Sequence, residues 1–195
     1  MKEKRKSYRE RYFEDYKAVK VAANNKKGYK LEYHYIGRWM GWTSERYSMK
    51  QVKLAFAGME LVSIAIYVAA ILSHSPFTVS RLANGFGTIS LIPWMLELYG
   101  VVRFAAAGNH VKELTGEEID RAIRAGTVLR ALLVAASVIA GLADILLHKT
   151  AAVQDIPVVL TVLVSGGLSL LIRRFYSGLE VLSYRNDNGR PGSRI

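Results

Sequence analysis

The segment Leu54–Ser73, LAFAGMELVSIAIYVAAILS, holds a single charge, Glu60, among apolar, aromatic, small and hydroxyl-bearing side chains. A helix rises about 1.5 Å per residue, so about 20 residues cover the roughly 30 Å hydrocarbon layer of a bilayer. No polar stripe recurs at the helical period, and a water-soluble bundle built from such a helix would have no face to turn to water. Three further blocks read the same way: about Gly85–Ala107, Ala125–Leu147 and Ile156–Ile172. The last is expected to continue as helix through RRFYSGLEVLSY, Arg173–Tyr184. The expected fold is an all-α, polytopic integral membrane protein with four transmembrane helices arranged as two α-hairpins.

Charge is segregated from these blocks. The chain of 195 residues is 51% hydrophobic yet carries a formal charge of +11, and residues 1–53 hold 15 of its 27 Lys and Arg but 6 of its 16 acids. Three segments would share one side of the membrane: residues 1–53, Gly108–Arg124 and the tail from Arg173. They hold nearly all the basic residues outside the spans, whereas the opposite loops offer Arg81 and Lys149. The positive-inside rule then predicts both termini in the cytoplasm, with a bacterial cytoplasmic membrane as the expected location. The first apolar block begins more than 50 residues in, so no cleavable signal peptide is expected. With no cysteine, disulfides, thiolate metal sites and cysteine nucleophiles are excluded.

The chain divides into a basic, Tyr- and Trp-rich cytoplasmic or interfacial segment (1–53), the four-helix bundle (54–183) and a flexible polar tail (184–195). In the first, SYRERYFEDYKAVKVA places Tyr8, Tyr12, Tyr16 and Val19 four and three apart, the spacing of a short amphipathic helix. NNKKG, Asn24–Gly28, reads as a turn, and YKLEYHY, Tyr29–Tyr35, alternates at a strand period or forms an extended interfacial segment. Trp39, Met40 and Trp42, beside Lys and Arg, suit the headgroup layer, so the expected partner is a bilayer with anionic headgroups and not nucleic acid. Between spans two and three, Thr115 and Glu118 have capping-box spacing, which predicts a helix starting near Gly116 and running unbroken into the membrane. SIAIYVAAILSH (Ser63–His74) aligns without gaps to SVIAGLADILLH (Ser137–His148), and VVRF (Val101–Phe104) resembles IRRF (Ile172–Phe175), the mark of two parallel hairpin repeats.

Charges inside the spans mark the candidate site. Counting from each expected cytoplasmic edge puts Glu60, Arg103 and Arg130 in the inner leaflet, where Glu60 would pair with one of the two arginines. The same count puts Glu97 near the midplane with Ser63, Ser137 and Ser165 on the other three helices. Pro93, which cannot donate its backbone bond, predicts a kink that frees the carbonyl of Ile89. Gly166 and Gly167 allow close helix approach at matching depth. A carboxyl and three hydroxyls at the midplane form either a packing device or a proton or cation site. On the other side, Asp144, His148 and Asp155 lack metal-ligand spacing, and no GxSxG, Walker or GxGxxG motif is present. No metal, cofactor or enzyme activity is expected. The function expected is a small subunit or scaffold of a membrane complex, in a homo- or hetero-oligomer. The alternative is a small oligomeric proton- or cation-coupled transporter.

Overall fold

A computed structural model describes residues 14–24, 28–73, 75–108, 110–148 and 155–185. Its elements, in order, are β1 (Tyr16–Ala22), β2 (Tyr29–Tyr35), β3 (Arg38–Thr43), α1 (Met49–Leu72), α2 (Pro76–Val79), α3 (Arg81–Ile89), α4 (Leu91–Ala106), β4 (Val111–Lys112), α5 (Glu113–His148), α6 (Asp155–Ser177) and β5 (Glu180–Arg185). Four helical stretches are long and apolar enough to cross a membrane: α1 (24 residues), α3 with α4 (26), α5 (36) and α6 (23).

The chain forms two compact units. Among the described residues, one gathers those of 14–42, 108–117 and 181–185; the other holds those of 43–107 and 118–180. In the first, β1 and β2 pair antiparallel with Tyr16 opposite Tyr35 and Ala22 opposite Tyr29. Gly28 takes φ +71° in the connection, a left-handed conformation that glycine adopts without steric cost. β3 lies between β4 and β5, with Trp39 opposite Lys112 and Met40 opposite Val111.

Two expectations are corrected here. Tyr16–Ala22 is a strand, not the end of an amphipathic helix; Tyr8 and Tyr12 lie outside the described residues. The helix expected to reach Tyr184 stops at Ser177, and Glu180–Arg185 is a strand, so the fold is mostly helical and not all-α. Gly178 and the β-branched and aromatic side chains that follow favour that change. The polar tail from Asn186 onward lies outside the described residues. Trp39, Met40 and Trp42 lie on β3, the central strand of a three-stranded sheet. Tyr35 and Trp42 are buried, and the Tyr16, Tyr35 and Trp39 rings meet edge-on at 5.4 and 5.3 Å.

Helix ends follow local chemistry. Ser48 and Gln51 form a reciprocal capping box that starts α1 five residues earlier than hydropathy places it. Thr115 lies inside α5, which begins at Glu113 and does run unbroken to His148. The second span breaks at Ser90, three residues before Pro93. Pro93 then occupies the first turn of α4, where its missing N–H is harmless. Beside the break, the carbonyl of Gly87 accepts the hydroxyls of Tyr67 (2.9 Å) and Ser90 (2.6 Å).

The second unit buries a polar cluster within an apolar core and exposes large apolar side chains on its outside. Ser63, Glu97, Thr127, Ser165 and Ser169 are wholly buried, while Leu54, Ile92, Ile139 and Leu147 are about 70–80% exposed. That distribution suits a bundle surrounded by hydrocarbon, where unsatisfied polar groups must turn inward. An aromatic layer of Phe56 on α1, Phe104 on α4 and Tyr176 on α6, with centroids 5.4–6.4 Å apart, packs one end of it.

Candidate functional site

Glycines set the spacing of α4 against α5. A Cβ on Gly100 would stand 2.8 Å from Ile123, and one on Gly126 would stand 2.6 Å from the backbone nitrogen of Glu97. Both are closer than atoms pack, so the two backbones approach at glycine contacts. These contacts fix an antiparallel register with Glu97 level with Gly126. Arg130 stands one turn further along α5, and helical side chains lean toward the helix N-terminus, which carries its guanidinium back to Glu97.

The guanidinium is the centre of the site. Arg130, 1% exposed, places Nη1 3.5 Å from Glu97 Oε2. Nη1 donates to Ser169 Oγ at 3.0 Å, while Nη2 donates to Ser63 Oγ at 2.7 Å and Ser165 Oγ at 2.6 Å. Ser169 donates to Glu97 Oε2 at 2.9 Å, and Ser63 and Ser165 share a hydrogen bond at 3.1 Å. One planar fork thus engages α1, α4 and α6 from α5, the multidirectional geometry that Arg offers and Lys does not. The indole of Trp94 lies under the guanidinium, 4.2 Å from ring centroid to Cζ, and its Nε1 donates to Glu60 Oε1 at 2.6 Å. Glu97 Oε1 and Glu60 Oε2 are buried without a hydrogen-bond partner.

Of the expected midplane set, Glu97, Ser63 and Ser165 come together and Ser137 does not. The Ser137 hydroxyl donates to the carbonyl of Ala83 at 2.7 Å, closing α5 onto α3. Of the expected ion pairs, none within 4 Å joins Glu60 to Arg103 or Arg130 among the described residues, although Glu60 and Arg130 are close enough to interact electrostatically. Glu60 is bonded to Trp94, Arg130 pairs with Glu97, and Arg103 lies 3.9 Å from Glu118 with both side chains partly exposed. The depth count failed because it assigned the edges of α4 and α5 separately, at Ala107 and Ala125. In the observed register Ala125 falls level with Leu98, a slip of nine residues or about 14 Å along the helix.

Gly166 does serve close packing, since a Cβ there would stand 2.8 Å from Val134, whereas Gly167 has nothing within 4 Å. Ser169 and Trp94 were not read from the sequence. Ser165 and Ser169 are one turn apart on α6, and Trp94 and Glu97 are three apart on α4, so helical spacing was the available signal.

The two aligned segments have unlike roles. Ser63 binds the arginine fork and its counterpart Ser137 a backbone carbonyl, while Phe104 is buried and its counterpart Phe175 is 53% exposed. Away from the cluster, Asp155 accepts the backbone N–H of Phe77 at 2.9 Å, and Asp144 lies 3.0 Å from His148. Among the described residues no group of three metal-ligating side chains converges. A groove of about 780 Å³ runs between the start of α1 and the end of α6, lined among others by Arg46, Tyr47, Met59, Arg174 and Phe175. No protein family, no curated protein and no solved structure matches the chain.

Proposed function

We propose that the chain is a non-enzymatic integral membrane protein, a small subunit or scaffold of a membrane complex, with both termini on the cytoplasmic side of a bacterial cytoplasmic membrane. The observation that carries this reading is the Arg130 fork, which bonds side chains of three other helices while Glu97, Ser63, Ser165 and Ser169 stay wholly buried. A transport site must be reachable from water on one side at a time, and a cation held by side chains from every neighbouring helix is instead a clamp. The large exposed Leu and Ile side chains face lipid or partner spans.

One observation favours the second reading, a proton- or cation-coupled carrier acting as a homo-oligomer: two buried carboxylates, Glu60 and Glu97, face one guanidinium. Flux separates the two readings. Purified protein in liposomes is expected to leave proton and alkali-cation leak at the level of empty vesicles, and to co-isolate with partner chains at fixed stoichiometry in native nanodiscs. Flux above that level, abolished by Glu97→Gln in a protein that still folds, would overturn the subunit reading.

A further inference from the structure

The buried cluster has an unequal charge count. Glu60 (2% exposed) and Glu97 (0%) supply two carboxylates, and Arg130 supplies one cation. Among the described residues the phenol of Tyr67 also faces the cluster, and it donates to the carbonyl of Gly87. Trp94 binds Glu60 through its N–H and Arg130 through its ring face, and Glu97 pairs with the same guanidinium, so both carboxylates act electrostatically on Arg130. Each keeps one oxygen, Glu60 Oε2 and Glu97 Oε1, buried and without a hydrogen-bond partner. With both acids ionised the cluster would hold a net negative charge inside the bundle, which costs several kcal/mol in a low-dielectric medium.

We infer that Glu60 and Glu97 together hold one exchangeable monocation, a proton or an alkali-metal ion, at an unpartnered carboxylate oxygen. The cluster is then neutral: two carboxylates, one guanidinium and one bound positive charge. The count holds whether the bundle acts as a static clamp or as a carrier, so the flux assay and the following test fail independently.

The test is infrared spectroscopy of the full chain, labelled with ¹³C-carboxyl glutamate, in lipid at neutral pH. A bound proton gives one protonated glutamate C=O band per chain in the unsubstituted protein, before any variant is made. Glu60→Gln and Glu97→Gln each leave one carboxylate against one guanidinium, so the band disappears in both. If an alkali ion is the occupant, the band is absent and thermal stability rises on exchanging choline for sodium or potassium, a rise lost in both single variants. The paired expectation is that each single variant unfolds within a few degrees of the parent, whereas the Glu60→Gln/Glu97→Gln protein, with Arg130 unpaired, loses far more than the two shifts combined. A parent with neither band nor cation dependence would overturn the inference. So would a band that survives in both single variants, since burial and not charge count would then be its cause.

Discussion

Replacing Arg130 with Met keeps an unbranched apolar stem and removes the charged fork. Three hydrogen bonds to Ser63, Ser165 and Ser169, the Glu97 ion pair and the contact with the Trp94 face are lost together. Side-chain hydrogen bonds between membrane helices contribute about 0.6 kcal/mol each, so the three serines account for roughly 2 kcal/mol. The desolvated cation–π contact adds about 1–2 kcal/mol. Glu97, left without its cation, limits its own cost by neutralising, and Ser63 and Ser165 retain their mutual bond. The expected loss is about 3–4 kcal/mol, with Arg130→Lys in between because an ammonium keeps the charge but not the fork. Equilibrium unfolding in mixed micelles, followed by tryptophan fluorescence, measures it. The control is Arg103→Met, whose exposed 3.9 Å pair with Glu118 should contribute about 0–1 kcal/mol. Equal losses for the two arginines would refute the clamp.

Adjacent glycines should part company. Gly166→Ala drives a methyl into Val134 and should cost about 1–3 kcal/mol, while Gly167→Ala meets nothing and should gain up to about 1 kcal/mol from helix propensity, both read as unfolding midpoints. Ser48→Ala should lower stability by about 1 kcal/mol in the same assay, because it opens the capping box at the start of α1. Outside the membrane spans, burial and the Asp15 charge push the Tyr35 phenol up to about 12, and its hydroxyl donates to the carbonyl of Arg38 at 2.6 Å. A phenol held neutral contributes stability that is fully present below the ordinary tyrosine value near 10 and lost as pH rises through about 12. Phenolate absorbance should therefore show a late-titrating tyrosine that Tyr35→Phe removes.

The sequence by itself determined the four apolar helices and the uninterrupted third span, and it showed the period-two alternation at Tyr29–Tyr35 that the structure forms as a strand. Hydropathy over about 20 residues and an alternation of period two are local quantities, and a single segment carries them whole. It also singled out Glu60, Glu97, Arg130, Ser63 and Ser165 as polar groups with nowhere to go in hydrocarbon. Partnership was a different matter. Which carboxylate meets Arg130 depends on the register between α4 and α5, and that register is set by two close approaches, Gly100 to Ile123 and Gly126 to Glu97, from residues distant in sequence. Ser137 sits at the right spacing but faces Ala83, because rotation of α5 about its axis is decided by its neighbours. The strand at Glu180–Arg185 escaped the helical reading for the same reason: it pairs with β3, far away in the sequence, and no local pattern encodes such a partner. Tyr16–Ala22 pairs with its neighbour β2 across a short connection, and its four-and-three spacing of Tyr and Val gave way to that pairing.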